Sequence, residues 1–498
     1  MPHIKTRFPP SPTGFLHIGS LRTALFNYLA TKKLGGSFVL RIEDTDRERF
    51  VPGGVENIIK TLEWAGLFTD EGPYLDSAGE ISQKGDCGPY IQSERLGIYN
   101  SYVQQLLDQG DAYYCFCSKD RLDELRKTQQ AKKLPTGYDG KCRNLTKEEV
   151  EKKKQAGIPY VIRLKVPKEK KTTFVDAVLG EISFDNNTVD DQVLMKADGF
   201  PTYHLAVVVD DHLMGITHIS RGSEWLSSTP KHVLLYEMFG WDVPVYAHQP
   251  LLVNEKKQKL SKRHGDVSVE DFKQKGYLVE ALVNFVAFLG WNPGDEREIF
   301  TLAELEKEFS FEKMAKSPAV FNREKLNWYN KQYMMRMDLA EFTQRTIPFF
   351  INAGLVDQDY VNQVEGFEQL KKIVDLERTR ANTMVELVDS VGFMFAKRLV
   401  YDPSLLVWKK STKEDAREKL LGLKGVLEVV PNNEWELQII ENKIKDWIAE
   451  NEFRVGDVLW PLRVSLSGQK NSPGPFDLTY VLGKVVVLER ISFAIESL

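Results

Sequence analysis

The pattern of hydrophobic and polar positions over the first 42 residues predicts a strand, a loop, a helix and a second strand. Residues 4–8 are predicted to form the first strand, and a loop rich in Pro and Gly follows them. Residues 37–42 are short and mostly apolar, as a buried strand is. Gly35 and Gly36 stand where the helix is predicted to end. The positions with helical spacing before them are Leu21, Ala24, Leu25, Tyr28 and Leu29. This order of elements is typical of a parallel sheet with helices packed on it.

The middle of the chain shows two further strand patterns. Residues 202–209 end in a run of four apolar side chains, which predicts a later strand of the same sheet. Residues 160–166 alternate between apolar and polar side chains, as a half-buried strand does. Residues 96–205 hold three cysteines and two lysine clusters and lack a simple β-α repeat. We therefore predict an inserted α+β domain there.

Helical patterns dominate the chain beyond residue 335. Residues 435–448 form one amphipathic helical pattern. A second pattern near the C-terminus consists of Val481, Leu482, Val485, Leu488, Ile491 and Ala494. The last third of the chain is therefore predicted to be all helical.

The composition is that of a soluble protein with several domains. The chain has 498 residues, of which 42% are hydrophobic and 28% are charged, and this suits roughly two to four domains with separate cores. The first residues lack the pattern of a signal peptide, and no apolar run approaches the roughly 18 residues that cross a bilayer. Four cysteines in a chain of this length do not make a disulfide scaffold. We expect a cytoplasmic protein with no membrane partner.

The net charge of −5 counts mildly against nucleic-acid binding, which usually leaves a basic surface. Basic residues nevertheless cluster at 152–154, 168–171 and 256–263. Such clusters either present a basic stripe to RNA phosphates or, more often, form solvated surface. Charge alone leaves both alternatives open.

Two distant motifs look like the two halves of one nucleotide site. Residues 9–20 have the sequence PPSPTGFLHIGS, and residues 259–263 have the sequence KLSKR. His17 stands at the predicted start of the first helix, where backbone N–H groups and the helix dipole attract phosphate. The cations of KLSKR suit the charge that builds up on a phosphate under attack. The alternatives are that His17 only caps the helix and that KLSKR is exposed surface.

This pair resembles the HIGH and KMSKS motifs of class I aminoacyl-tRNA synthetases. The words PPSPTG and, at residues 41–47, RIEDTDR narrow the resemblance to the bacterial-type glutamyl-tRNA synthetases. The glutaminyl relatives have PEPNG and RFDDT where this chain has PSPTG and RIEDT. Further words of the glutamyl family are GPYIQSER at 88–95, FPTYH at 200–204, DDHLM at 210–214, KLNW at 325–328 and LRVSLSG at 462–468.

The resemblance implies an α/β Rossmann-like class I catalytic domain with an α+β insertion, followed by an all-α C-terminal anticodon-binding region. The two halves of the catalytic domain are implied at 1–95 and 206–250. The inserted acceptor-binding domain is implied at 96–205, the KLSKR loop and stem-contact domain at 251–335, and the helical anticodon-binding region at 336–498.

The implied reaction is the attachment of L-glutamate to tRNA in two steps. ATP with Mg²⁺ gives glutamyl-adenylate, and the glutamyl group then passes to the 2′-OH of the terminal adenosine. The implied partner is glutamate tRNA; whether glutamine tRNA is also charged stays open, and a monomer is expected. Arg378 and Arg380 are candidates for anticodon contacts, with surface charge as the alternative. A non-catalytic RNA-binding paralogue should have lost His17 or Lys262, and both are present.

The resemblance also assigns roles to individual residues. The implied catalytic residues are His17, Lys259, Lys262 and Arg263. The implied ATP site shares His17 and Lys262 and adds Pro10, Ser11, Thr13, Gly14, Gly19, Glu224, Trp225 and Leu252. The implied glutamate site consists of Arg7, Ser11, Glu43, Tyr203 and Arg221. The forked guanidinium of arginine suits the side-chain carboxylate of glutamate, and glutamine would leave that charge unpaired.

Four positions depart from the family pattern or resist assignment. Ser20 stands where the first motif has a second His, a place at which the family tolerates small residues. Val207 stands where some relatives have an Asn that touches the substrate. Asp210 and Asp211 either bind ATP or RNA or simply end a strand, and the sequence leaves these alternatives open.

Three cysteines and a tyrosine resemble the zinc knuckle of some family members. The implied ligands are Cys115, Cys117, Tyr138 and Cys142. The commoner family pattern has a His two residues after the last Cys, and Asn144 stands there in this chain. The alternatives are a tetrahedral Zn²⁺ site or three free cysteines that have lost the metal.

Overall fold

The computed structural model describes residues 3–260 and 268–498 of the protein. The chain divides into two compact units. Unit 1 comprises Met1–Lys273 and Val279–Lys325, and unit 2 comprises Gln274–Leu278 and Leu326–Leu498. The domain boundaries expected from the sequence stay predictions.

All strands of the described residues belong to unit 1. They are β1 (Lys5–Phe8), β2 (Ser37–Leu40), β3 (Gly72–Leu75), β4 (Ile81–Lys84), β5 (Ala112–Cys115), β6 (Val161–Leu164), β7 (Lys171–Asp176), β8 (Gly180–Asp185), β9 (Val193–Met195), β10 (His218–Gly222), β11 (Val245–Gln249), β12 (Leu252–Val253) and β13 (Ala319–Val320).

Helices make up the rest of the regular structure. Unit 1 holds α1 (Ile18–Leu34), α2 (Gly54–Trp64), α3 (Leu96–Gln109), α4 (Lys119–Ala131), α5 (Lys147–Gln155), α6 (Tyr203–Leu213), α7 (Thr229–Phe239), α9 (Val279–Ala287) and α10 (Leu302–Glu308), while α8 (Val269–Gln274) and α11 (Arg323–Arg336) run from unit 1 into unit 2. Unit 2 holds α12 (Leu339–Asn352), α13 (Gln358–Asn362), α14 (Val364–Glu377), α15 (Met384–Val391), α16 (Lys413–Glu428), α17 (Leu437–Glu450), α18 (Val455–Ser467), α19 (Pro475–Leu482) and α20 (Lys484–Ser497). None of the described helices is both long and apolar enough to cross a membrane.

A parallel sheet carries the N-terminal elements that the sequence predicts. The strands β1 and β2 pair in parallel, and α1 between them ends at Gly35, whose φ of 66° is the left-handed conformation that glycine adopts most easily. The backbone N–H of Thr217 donates to the carbonyl of Lys5 at 2.9 Å, which brings the start of β10 next to β1. The strand β10 pairs in parallel with β11, and β11 with β7. The predicted strand–helix–strand start is confirmed.

The inserted segment has a small antiparallel sheet of its own. The strands β5, β6 and β9 form it in that order. The predicted strand at 160–166 appears as β6. The hairpin of β7 and β8 also comes from residues 96–205, yet β7 joins the main sheet beside β11. The inserted segment is thus joined to the sheet of β10 and β11 as well as having a sheet of its own.

The strand predicted at residues 202–209 is wrong, because these residues form the helix α6. Its residues 205–209 are all buried in one hydrophobic cluster with α3 and α7. A helix that is surrounded by core is apolar on every side, so its short sequence shows no helical period and looks like a buried strand. The corresponding strand of the sheet is β10, which follows α6.

The C-terminal region is helical as predicted, with one correction. The predicted pattern at 435–448 appears as α17, which buries Ile440, Ile444 and Ile448. The pattern from Val481 to Ala494 is two helices, α19 and α20, rather than one. They separate at Gly483, whose φ of 77° and ψ of 159° lie outside the helical region and strain any residue with a Cβ. The predicted class of fold is otherwise confirmed.

Candidate active site

Most of the predicted site residues line one cavity of unit 1, with a volume of about 1170 Å³. The carboxyl ends of parallel strands surround it, which is where open α/β sheets bind ligands. The predicted residues along its wall are Arg7, Pro10, Ser11, Thr13, His17, Gly19, Glu43, Tyr203, Arg221, Glu224, Trp225, Leu252 and Lys259.

Gly14 is a predicted site residue of the described chain that is not part of this wall, and two further predicted residues are not described. Gly14 lies in the loop before α1, with a φ of 151°. Lys262 and Arg263 lie outside the described residues. The first cation of the same motif, Lys259, lies 3.7 Å from a carboxylate oxygen of Glu224, so both are present at the cavity.

His17 caps α1 with its own ring. Its Nδ1 accepts hydrogen bonds from the backbone N–H groups of Gly19 at 3.1 Å and Ser20 at 3.3 Å. An accepting Nδ1 carries no proton, so the imidazole is neutral and bears its hydrogen on Nε2. Nε2 lies 3.2 Å from the hydroxyl of Ser20. The cap therefore fixes the orientation of the Nε2–H group. The backbone N–H groups of Gly19 and Ser20 already donate to the ring, so the hydrogen-bond donor that His17 brings to this helix end is its Nε2–H.

Arg7 on β1 presents two unsatisfied donors. Its Nε donates to Asp211 at 3.1 Å, whereas Nη1 and Nη2 are buried and have no hydrogen-bond partner among the described residues. The side chain is only 1% exposed. A buried charged donor without an acceptor is costly, so this geometry favours a ligand with a carboxylate that accepts both N–H groups.

Asp210 and Asp211 belong to a buried ion-pair cluster and do not end a strand. Both lie on α6; Asp211 also accepts from Arg41 at 2.7 Å, and Asp210 accepts from Arg95 at 2.7 Å. Burial tends to raise the pKa of Asp211, but the charges of Arg7 and Arg41 outweigh this and hold the pKa below its usual value. Neither aspartate lines the cavity. Asp211 acts on the site through the orientation of Arg7.

Glu43 lies at the cavity and binds a proton more tightly than an ordinary glutamate. Arg41 donates to its Oε1 at 2.9 Å. Burial raises the pKa of Glu43 to about 7, although the nearby charge of Arg41 works in the opposite direction. A carboxylate at this place can pair with an ammonium group, and its charge changes near neutral pH.

Arg221 on β10 has only neutral hydrogen-bond partners among the described residues. Its Nη1 lies 3.3 Å from the hydroxyl of Tyr203, and its guanidinium lies 5.2 Å from the ring centre of Tyr246. The ring of Tyr203 is in turn 4.6 Å from the ring of Trp225, centre to centre. Val207 on α6, by contrast, is buried in the core and does not line the cavity.

The four predicted zinc ligands lie together, away from the cavity. The three sulfur atoms are within 4.8 Å of one another, and the sulfurs of Cys117 and Cys142 are 3.6 Å apart. The hydroxyl of Tyr138 is 3.4 Å from the sulfur of Cys115 and 3.6 Å from that of Cys117. Around a tetrahedral Zn²⁺ with zinc–sulfur bonds of about 2.3 Å, neighbouring ligand atoms are about 3.5–3.8 Å apart. The donor set therefore fits the ion.

Several residues of the site have no signal in the sequence. Lys196 lines the cavity, and the hydrogen-bond partners of Arg221 include His232 and His248. No motif spacing connects these positions. The only available signal is the presence of polar residues beside the apolar runs that become β10, α7 and β11.

Comparison with known proteins identifies the family of the chain. Residues 3–328 match the family described as tRNA synthetases class I (E and Q), catalytic domain, and residues 341–495 match the family described as anticodon binding domain. A glutamate–tRNA ligase of Clostridioides difficile (strain 630) is 47% identical over 99% of both chains. The chain belongs to the glutamate–tRNA ligases. The family resemblance found in the sequence motifs is thereby confirmed.

Other members of the ligase family have similar sequences and folds. The glutamate–tRNA ligase of Finegoldia magna is 45% identical over the whole length of both chains. A crystal structure of a glutamate tRNA ligase from Elizabethkingia meningosepticum, in complex with its amino acid, matches with a TM-score of 0.86 at 36% identity over 99% of both chains. The class I catalytic domain followed by a helical anticodon-binding region is thus the fold of this chain.

Proposed function

We propose that the cavity of unit 1 makes glutamyl-adenylate from L-glutamate and ATP and then transfers the glutamyl group to the 2′-OH of the terminal adenosine of tRNA. The family gives the overall reaction, the ATP-dependent ligation of glutamate to tRNA. The observation that supports the amino-acid site is Arg7, whose Nη1 and Nη2 are buried without partners. In this proposal they hold the side-chain carboxylate of glutamate together with Arg221 and Tyr203.

The α-amino group of glutamate then pairs with Glu43 and Ser11. This leaves the α-carboxylate to attack the α-phosphorus of ATP, so a carboxylate oxygen–phosphorus bond forms and pyrophosphate departs. The nucleophile is already an anion, so the step needs no general base. Its acceleration comes from positioning and from charge stabilisation. The Nε2–H of His17 donates to a phosphate oxygen, and Lys259, Lys262 and Arg263 offset the charge on the phosphates and on the departing pyrophosphate, with Mg²⁺ bound to ATP.

The rest of the predicted ATP site surrounds the nucleotide. The loop residues Pro10, Thr13 and Gly14, together with Gly19 in the first turn of α1, lie on one side of it. Glu224, Trp225 and Leu252 lie on the other. This site is tested by pyrophosphate exchange into ATP with tRNA present: glutamate should support exchange and glutamine should not. Absence of exchange with glutamate would contradict the proposed first step.

The ionisation of Glu43 should give the reaction a pH dependence. Below its pKa of about 7 the carboxyl is protonated and cannot pair with an ammonium group, so kcat/KM for glutamate should rise with pH and level off above about 7. The side chains facing it include Arg41, Arg7 and Asp211, and the pKa of Asp211 lies below its usual value. Steady-state kinetics between about pH 5.5 and 8.5 measure the profile. Glu43→Gln should lose the inflection, and an unchanged inflection in that variant would assign it to another group.

We also propose that Cys115, Cys117, Tyr138 and Cys142 hold one structural zinc ion. Such a closed site supplies folding energy and no chemistry to the reaction. Metal analysis of the purified protein should find about one zinc per chain. Cys142→Ser should lose most of the zinc and lower Tm, whereas Cys87→Ser, at a cysteine outside the cluster, should keep both. A wild-type zinc content far below one per chain would contradict the site.

The tRNA partner is proposed to be glutamate tRNA, bound by a monomer in the cytoplasm. Residues 96–205 would hold the acceptor end, residues 251–335 the stem, and residues 336–498 the anticodon. Of the two candidate anticodon contacts, Arg378 pairs with Asp375 at 2.9 Å and its side chain is 18% exposed, whereas Arg380 is 46% exposed. Arg380 is therefore the better placed of the two to reach RNA. Charging of glutamine tRNA as well is the alternative, and aminoacylation assays with each tRNA separately decide between the two.

A further inference from the structure

Arg221 is held in place by neutral acceptors. Its Nε donates to Nε2 of His248 at 3.3 Å, its Nη1 lies 3.1 Å from Nδ1 of His232, and its Nη2 donates to the hydroxyl of Thr229 at 2.8 Å. Arginine has only donors, so the two imidazole atoms that face it must carry lone pairs. Each ring therefore bears its single hydrogen on its other nitrogen.

The hydrogens on those other nitrogens have acceptors. Nδ1 of His248 lies 2.6 Å from Oδ2 of Asp176, and Nε2 of His232 lies 3.0 Å from Nδ1 of His204. Burial and the charge of Arg221 keep the pKa of His232 well below its usual value. Burial, helped by the charges of Lys231 and Arg221, lowers the pKa of His204 to about 3, and burial also lowers the pKa of His248. The three rings are neutral at pH 7.

Asp176 fixes the hydrogen position of His248. It stands at the end of β7 and is buried, and its Oδ1 accepts from the backbone N–H groups of Val178 and Leu179 at 2.9 Å each. Its Oδ2 accepts from the backbone and the ring of His248, at 3.1 Å and 2.6 Å. Because both oxygens are committed, the carboxylate cannot turn, and the ring of His248 must keep its lone pair towards Arg221.

Because its hydrogen-bond acceptors in the described part of the chain are neutral, the positive charge of Arg221 is not offset as it would be by a hydrogen-bonded carboxylate. Arg7 is held by the charge of Asp211, which itself is shared with Arg41, whereas the hydrogen-bond partners of Arg221 among the described residues are a tyrosine, a threonine and two histidines. The guanidinium is oriented, yet no hydrogen-bonded anion offsets its charge. A buried cation in this state favours an anionic ligand over a neutral one of the same shape.

We propose that Asp176, His248 and His232 are positioning residues that hold Arg221 as a cation with no hydrogen-bonded anion among the described residues, and so set the preference for an acidic over an amide side chain. The proposal rests on the proposed function, in which Arg221 contacts the side-chain carboxylate of glutamate. It assigns the choice of glutamate over glutamine to groups that do not touch the substrate.

The first test removes the acceptors and measures KM for glutamate and for ATP separately, by pyrophosphate exchange with tRNA present. His248→Phe keeps the ring shape and loses the acceptor, and should raise KM for glutamate about 10- to 100-fold with KM for ATP changed less than about twofold. In Asp176→Asn the amide oxygen must keep accepting from the backbone N–H groups of Val178 and Leu179, so the NH₂ group faces Nδ1 of His248. The ring must then carry its hydrogen on Nε2, which faces Arg221. KM for glutamate should rise by a similar factor. His248→Gln restores a hydrogen-bond acceptor for Arg221, so its KM for glutamate should lie between those of His248→Phe and the wild type.

The second test adds the missing countercharge. Thr229→Asp would place a carboxylate beside Nη2 of Arg221, and Thr229→Asn is its neutral match in size. The aspartate variant should bind glutamate at least about 10-fold more weakly than the asparagine variant, with a lower glutamate-to-glutamine preference. Equal behaviour of the two variants would overturn the role of uncompensated charge.

The outcomes separate this proposal from the proposed function. If Arg221→Leu leaves KM for glutamate unchanged, the assigned contact of Arg221 with the substrate fails. If Arg221→Leu is impaired while His248→Phe and Asp176→Asn keep KM for glutamate within about twofold, only the positioning proposal is overturned. If KM for glutamate and ATP rise together as Tm falls, the histidines have a purely structural role, which also overturns it.

Discussion

Replacing Arg7 with leucine is expected to lower kcat/KM for glutamate by about 10²- to 10⁴-fold. The change removes two hydrogen bonds to a charged group, each contributing about 1.5–3 kcal/mol. The effect should appear in pyrophosphate exchange with tRNA present, and the remaining activity should discriminate poorly between glutamate and glutamine. Because Arg7 is buried beside Asp211, Tm is measured in parallel to separate a folding defect from lost recognition.

Two further variants make the Arg7 experiment decisive. Arg7→Lys keeps a positive charge near Asp211 but loses the forked geometry, so it should regain stability without regaining full kcat/KM. Arg126→Leu is the matched control, since Arg126 is an exposed arginine on α4, 3.9 Å from Asp123. Normal use of glutamate by Arg7→Leu would contradict the assigned carboxylate site.

Replacing Lys262 with alanine is expected to raise the barrier of glutamyl-adenylate formation by about 2–4 kcal/mol, or about 30- to 1000-fold in kcat. In the proposed mechanism this lysine stabilises charge that develops on the phosphates only as pyrophosphate leaves, so KM for glutamate should change little. Single-turnover formation of the adenylate measures the step. Lys256→Ala, in the exposed segment before the motif, serves as the control and should react normally. Near-normal adenylate formation in the Lys262 variant would remove the KLSKR motif from the catalytic groups.

The sequence motifs identified the residues proposed to contact the ligands better than the residues that orient them. The fold brings to one cavity five residues that the family motifs identified, namely Arg7, His17, Glu43, Tyr203 and Arg221. Their partners come from separate elements. Asp176, His204, His232 and His248 lie on β7, α6, α7 and β11, and only the sheet register and helix packing bring them together. Such long-range hydrogen bonds leave no spacing in the sequence.

The errors in secondary structure have the same physical origin. Residues 205–209 are apolar because α6 is enclosed on all sides, and a five-residue apolar run has no period that distinguishes helix from strand. At the C-terminus the apolar spacing continues across Gly483, although its backbone ends one helix and begins the next. Tertiary packing decided the first case and one backbone conformation decided the second.

His17 shows that two interpretations of one residue need not exclude each other. The ring caps α1, which was the alternative to a catalytic role. The same cap fixes the hydrogen on Nε2 and so prepares the donor that the catalytic role needs. Ser20, in the place of a second histidine, lies 3.2 Å from that donor.

The most direct test of the account is the attachment of labelled glutamate to purified glutamate tRNA and, separately, to glutamine tRNA, with ATP and Mg²⁺. If the proposed function is correct, we expect stable charging of glutamate tRNA. Charging of glutamine tRNA as well would identify a non-discriminating ligase, whose product requires a later amidation step, and charging of glutamate tRNA alone would identify a discriminating one. Charging of neither, with intact RNA and ATP present, would contradict the account.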